Sequence, residues 1–220
     1  MLYYFKGWVT QGTKNHDTFS KCLIEFKENN FDAVSWWTDY FWNAYANLFY
    51  KNKPETNNLN FLTEEFYEEE FFHIRPPGSK ESEKTGYSTQ SSLDILINEI
   101  VIMGFKTPDT SYLESFFHKD IQIKSLRYCG SAENRLKELI RSGFRINPLY
   151  FSMLEEFKED QVEPVFVIID DVYTTGTTTN LMAELIQEVC PSKIIVLTLT
   201  RNLRCTNSNV GLNNKIAGYK

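Results

Sequence analysis

VFVIIDDVYTTGTTT, residues 165–179, decides the fold of this chain. Val165 to Ile169 form an unbroken apolar run, the pattern of a parallel strand covered by helices on both faces. The run ends in two adjacent carboxylates, Asp170 and Asp171. After a short bridge come five small residues, Thr174, Thr175, Gly176, Thr177 and Thr178, and then the helical pattern TTTNLMAELIQEVC. KIIVLTLT, starting at Lys193, reads as the following strand. Strand, helix and strand within about 35 residues predict a βαβ unit with parallel pairing and a right-handed crossover.

In parallel sheets ligands bind beyond the carboxyl ends of the strands, where Asp170 and Asp171 stand. The threonine-rich stretch sits at the start of the next helix, where unpaired N–H groups and the helix dipole favour an anion. Gly176 lets the backbone approach a ligand without a Cβ in the way. The loop therefore attracts a phosphate, and the carboxylates repel one. A single ligand satisfies both if it carries a phosphate at one end and hydroxyls or a bound Mg²⁺ in the middle. A sugar phosphate fits, with ribose hydroxyls on Asp170 and Asp171 and the 5′-phosphate on residues 174–178. A plain helix cap needs only one Asp and one Thr. A Walker B strand needs a partner G-x-x-x-x-G-K-[ST] loop, and the sequence contains none; a G-x-G-x-x-G loop is also missing.

The apolar run, Asp-Asp and Thr-Thr-Gly-Thr-Thr together resemble the phosphoribosyl pyrophosphate (PRPP) motif of type I phosphoribosyltransferases. Within that superfamily the wider chain is most similar to the ComF family, associated with bacterial competence. IRPPGSK (74–80) resembles that family's VPVPPSK strand and loop. GYSTQSSLDIL (86–96) resembles GFNQSELLA, with one extra residue before Gln90, and TLTRN (198–202) resembles TLAR. YYFKGWV through Lys27 resembles the aromatic and lysine landmarks near the family's start. The resemblance runs from residue 3 to 205 and is densest at 74–97 and 165–201.

Three departures stand out. The four-cysteine zinc ribbon found at the front of many ComF-like proteins has no counterpart here. The family's arginine-rich loop reads ESEKTG, leaving Lys80 and Lys84 as its cations. In the middle segment Arg141, Arg145 and Asn147 stand near the family's Arg and Asn, at a different spacing.

The resemblance implies displacement at ribose C1 of PRPP, with pyrophosphate leaving and positive charge building on the ring. Asp170 and Asp171 would stabilise that charge and, mainly through ligand hydroxyls or water, hold Mg²⁺ as the cofactor. Pyrophosphate needs its own donors, and RPPGSK offers them at a strand end: the cations Arg75 and Lys80, and the backbone of Pro77, Gly78 and Ser79. The simpler reading is a Pro-Gly turn with surface charges, and on an alternating strand Arg75 can point away from the site. Arg201 follows LTLT and is either a substrate contact or a surface arginine. A non-catalytic PRPP- or nucleotide-binding module inside a protein assembly, tied to competence or DNA processing, carries the same motif. Only the acceptor pocket separates it from an enzyme.

The bulk properties set the frame. The chain has 220 residues, 42% hydrophobic and 24% charged, with a formal net charge of −6. That length holds one substantial domain, or one with an added lobe. The charge gives no general attraction to nucleic acid, so this chain alone is not expected to bind it. Cys22, Cys129, Cys190 and Cys205 form no C-x-x-C pair or zinc-ribbon spacing and suit a reducing cytosol. No signal peptide or membrane span is legible, so the expected location is cytoplasmic.

The remaining elements follow from pattern. MLYYFKGWV reads as a strand or hairpin arm, and HDTFSKCLIEFKENN as a helix. AVSWWTDYFWNAYANLFY reads as a thickly packed core or dimer helix; a base-stacking platform is the alternative. SSLDILINEIVIMG reads as a helix capped by Ser91 or Ser92, IQIKSLRY as a strand, and SAENRLKELIRSG as a helix capped by Ser131. His16, His73 and His118 lack metal-ligand spacing and read as structural or exposed. The acidic run at 64–72 is a solvated edge or a partner surface. The expected architecture is α/β, type I phosphoribosyltransferase-like, with a mostly parallel central sheet flanked by helices. An aromatic N-terminal hood or lobe (1–60) packs on the α/β domain (61–205), and a polar tail follows (206–220).

Overall fold

The computed structural model describes residues 2–8, 18–49, 70–86, 90–104 and 110–202. In chain order they form β1 (Leu2–Trp8), α1 (Thr18–Lys27), α2 (Phe31–Phe49), β2 (Phe71–Ile74), α3 (Ser92–Gly104), β3 (Thr110–Tyr112) and β4 (Phe117–His118). Then follow α4 (Ala132–Arg141), β5 (Arg145–Ile146), α5 (Phe151–Glu159), β6 (Val165–Tyr173), α6 (Thr177–Val189) and β7 (Lys193–Asn202), with 3₁₀ turns at Leu126–Tyr128 and Pro148–Tyr150. The boundaries expected near 60 and 205, and the polar tail, lie outside the described residues.

Five strands make one sheet in the order β1-β7-β6-β2-β3, and every neighbouring pair is parallel. β6 lies at its centre because its apolar run has company on both faces. Side chains alternate across a strand. Val165, Val167 and Ile169 therefore pack with Leu23, Phe26, Trp37, Phe41 and Tyr45 of α1 and α2 and with Leu96 and Ile97 of α3. Phe166 and Ile168 face the other way, onto Met182 and Ile186 of α6, Leu139 of α4 and Leu154 of α5. At roughly 1.5–3 kcal/mol for each large apolar side chain buried, this sandwich is the main source of stability.

The expected parallel pairing of the β6-α6-β7 unit is present, with Val165 opposite Lys193 and Asp170 opposite Thr198. β1 joins the sheet as an edge strand, Leu2 opposite Val196, parallel to β7 rather than folded into a local hairpin. Trp37, Phe41 and Tyr45 are fully enclosed, in keeping with the core reading of α2. Trp36 stays on the outer side, stacked on Tyr40 with ring centroids 5.4 Å apart. His73 is a core residue whose Nε2 meets the Tyr45 hydroxyl at 2.8 Å, and burial pushes its pKa down to about 4.

One expectation fails. IQIKSLRY forms no strand: it is irregular, ending in the 3₁₀ turn at Leu126–Tyr128. Its alternation is real, but its amides find partners in loops, Ile121 N–H donating to Ser142 O (3.4 Å) and Ile123 N–H to Ser79 O (3.1 Å). No helix among the described residues is long and apolar enough to cross a membrane.

Candidate functional site

β2, β6 and β7 run in the same direction, so the chain leaves all three at one edge of the sheet. β2 ends at Ile74 opposite Ile168, one strand spacing of about 4.8 Å away, whereas β6 runs on to Tyr173, so its loop starts further along the same edge. This juxtaposition brings the two sequence motifs together although about 90 residues separate them.

β6 continues to Tyr173, so Asp170 and Asp171 lie within its last ladder positions rather than after its end. Asp170 is partly buried and its Oδ1 accepts from the Asp171 N–H at 2.8 Å. Burial, then the charge of Asp171, pushes the Asp170 pKa up to about 7; the Asp171 N–H and Lys27 oppose this. Asp171 points to the other side of the strand and is ion-paired with Lys27, the last residue of α1, at 2.7 Å. Thr200 of β7 donates to the Asp171 carbonyl at 3.1 Å and fixes the strand end.

Gly176 is the N-cap of α6, with φ +74°, in the left-handed region that side chains resist. A Cβ there would lie 2.5 Å from the Tyr173 hydroxyl, so the glycine is required twice over. The loop is braced by the Thr175 and Thr177 hydroxyls, 2.8 Å apart, and by Thr179 Oγ1 donating to Gly176 O at 3.1 Å. Thr174 to Thr179 line an open cavity with Asp170, Val172, Tyr173 and Arg135. The first-turn N–H groups of α6 have no carbonyl within the helix and aim toward this side.

Arg135 is the site residue that the sequence reading missed. It sits on α4, is 8% exposed, and donates from Nη1 to the hydroxyls of Thr174 and of Thr175, the latter at 3.4 Å. Its buried Nε has no hydrogen-bond partner among the described residues. An unmatched donor on a charged group costs upwards of about 1–3 kcal/mol, while Nη1 is the atom that reaches the threonine loop. The signal was in the helical pattern: Arg135 falls four residues before Leu139 and shares its buried face. Ser131 caps α4 as expected, accepting from Asn134 N–H at 3.2 Å.

The loop after β2 is a different environment. Arg75 is buried and ties Asp94 (Nε–Oδ1 2.5 Å, Nη2–Oδ2 3.0 Å) to Glu81 (Nη1–Oε2 2.9 Å, Nη2–Oε1 3.0 Å). Asp94 is held in turn by a capping box at the start of α3, where Ser91 N–H donates to it at 3.0 Å and its own N–H donates to Ser91 Oγ at 3.3 Å. Arg75 keeps the Asp94 carboxyl below its ordinary range against the opposing effect of burial. The carbonyls of Gly78, Ser79 and Lys80 are taken by Lys119 Nζ (2.6 Å), Ile123 N–H (3.1 Å) and Gln122 Nε2 (2.6 Å). Lys80 projects outward as an exposed residue. Neither Arg75 nor residues 77–80 line the threonine-loop cavity.

The other candidates are placed elsewhere. Arg141 pairs with Glu138 at 2.6 Å on an exposed helix face, and Arg145 bridges Asp120 and Glu83. Asn147 accepts from Leu149 N–H at 3.1 Å and donates to Ser115 O at 3.1 Å, capping the 3₁₀ turn. The Arg201 backbone pairs opposite Tyr173; its side chain lies outside the described residues. No group of three or more His, Cys, Asp or Glu that could hold a metal occurs among the described residues. Asp170 and Asp171 face opposite sides of the strand, so the expected joint hold on Mg²⁺ is not formed; Asp170 alone faces the cavity and could take the ion only with oxygens from a ligand and water, the usual manner of that ion. No protein-family model and no curated protein matches this chain.

Proposed function

We propose that this chain is a phosphoribosyltransferase-like protein, related to the ComF family, that binds PRPP and transfers its phosphoribosyl group to an acceptor. The observation that carries the reading is the cavity joining a partly buried carboxylate, Asp170, to a threonine-lined helix N-terminus. Arg135, whose Nη1 reaches Thr174 and Thr175, adds a cation to the phosphate end. The ligand's 5′-phosphate occupies the loop at 174–178, its ribose hydroxyls meet Asp170, and C1 faces the side of the loop after β2; Asp171, on the far side of the strand with Lys27, holds the strand end. An acceptor atom bonds to C1 as the C1–O bond breaks, and the electron pair leaves with pyrophosphate. Bond breaking runs ahead of bond making, and the Asp170 carboxylate stabilises the positive charge on the ring. Mg²⁺, when bound with the ligand, supplies positive charge for the leaving pyrophosphate.

A second reading, a non-catalytic PRPP-binding module in a protein assembly, has one observation in its favour: Arg75 is already engaged by two carboxylates. Pyrophosphate release from PRPP, scanned over bases and amines, separates the two.

Gly176→Ala tests the binding claim common to both. The left-handed φ costs roughly 1–2 kcal/mol for a non-glycine residue, and the Tyr173 ring must move as well. Ribose 5-phosphate is expected to raise the melting temperature of the wild type and not that of the variant. Equal shifts in both proteins would reduce the loop to a helix cap.

A further inference from the structure

The Glu81 carboxylate makes the contacts that a phosphate group would make in the loop after β2. Its Oε2 accepts from the backbone N–H of Gly78 at 2.5 Å and from Arg75 Nη1 at 2.9 Å, while Oε1 accepts from Arg75 Nη2 at 3.0 Å. A backbone N–H at a glycine turn and a fork of guanidinium donors closing on one anion is the geometry with which proteins hold phosphates. The side chain is deeply set, 11% exposed, against an Arg75 side chain that is 6% exposed. Lys119 stands behind the same turn, Nζ donating to Gly78 O at 2.6 Å, and the charge of Glu81 bears on it. The turn thus gathers two cations and two carboxylates, Arg75 and Lys119 against Glu81 and Asp94. Among these four buried or half-buried groups no net positive charge is left for an incoming anion; Lys80 is exposed beside them. Glu81 is also the first residue of ESEKTG, the stretch in which this chain departs from an arginine-rich loop.

We propose that Glu81 occupies the diphosphate subsite from within the chain and sets ligand specificity by making a 1-diphosphate compete with it. The inference rests on the ribose-phosphate reading of the β6 loop. While Glu81 is in place, the cavity at residues 174–179 takes the 5′-phosphate, and a diphosphate on C1 gains little. Displacing Glu81 leaves Arg75 and the Gly78 N–H to the diphosphate, with one positive charge in excess.

The test is calorimetric titration with ribose 5-phosphate and with PRPP, at one Mg²⁺ concentration, on wild type, Glu81→Ala and Glu81→Gln. In the wild type the two affinities are expected to differ by less than tenfold. In Glu81→Ala the preference for PRPP should rise at least tenfold, with ribose 5-phosphate affinity unchanged. Glu81→Gln keeps an acceptor for Gly78 N–H but removes the charge, and should fall between the two. If the glutamate merely props Arg75, both variants lose stability and both ligands weaken together, which overturns the proposal. A wild type that already prefers PRPP by more than tenfold overturns it without any variant. Failure of ribose 5-phosphate to bind any of the three proteins would instead remove the phosphoribosyl reading itself.

Discussion

Replacing Asp170 by Asn should make the protein more stable at alkaline pH while weakening its site. The folded chain holds the Asp170 proton up to about pH 7, whereas an unfolded aspartate releases it near 4. Between those values the native state binds a proton that the unfolded state has lost. Stability therefore falls as pH rises from about 4 to about 7, and is flat above. The full shift of about three units would correspond to about 4 kcal/mol at 1.36 kcal/mol per unit. Asp170 is only partly buried and shares its surroundings with Asp171 and Lys27, so about 1–2 kcal/mol is the working figure. Asparagine has the same shape and no charge, so it escapes the penalty. For a chain of this size that is a gain of roughly 2–8 °C in melting temperature at pH 8, shrinking to nothing near pH 4. Thermal unfolding of both proteins from pH 4 to pH 8, in buffer without phosphate, measures the difference directly. Ribose 5-phosphate affinity should move the opposite way, falling about tenfold or more, the worth of a charged hydrogen bond. Parallel stability profiles, or a variant less stable than wild type at pH 8, would refute the reasoning.

Two further outcomes follow from the site. Arg135→Leu keeps the buried stem of the side chain but removes the charge facing the threonine loop; ribose 5-phosphate affinity should fall about tenfold to a hundredfold. Unchanged affinity in a folded Arg135→Leu protein would mean that the guanidinium only braces Thr174 and Thr175. PRPP titrated with and without EDTA should bind more tightly when Mg²⁺ is present, because the ion offsets the repulsion between the ligand's diphosphate and the Asp170 carboxylate that lines the cavity. Equal binding in both would dismiss the metal.

The parts of the fold legible in the sequence are those decided by neighbouring residues. Val165 to Ile169 can only be satisfied by partners on both faces, so the central strand declared itself. IQIKSLRY misled because alternation records which side chains are buried, not whether the backbone finds a ladder; here the partners were the carbonyls of Ser79 and Ser142. The same limit applies to the site. Strand alternation allows Arg75 to point away from the site, but only the fold shows it sealed between Glu81 and Asp94 while Lys80 is exposed. Arg135 comes to the threonine loop, and Lys27 to Asp171, only because distant helices pack at the same edge of the sheet. Such pairings depend on tertiary geometry that no local spacing encodes.

The central claim concerns where a ribose phosphate sits, and a crystal structure of the protein soaked with ribose 5-phosphate tests it most directly. The phosphate is expected at the N-terminus of α6, within hydrogen-bond distance of the Thr174 to Thr178 backbone and of Arg135, with ring hydroxyls on Asp170. A ligand bound elsewhere, or a threonine-loop cavity without density at saturating ligand, would contradict it.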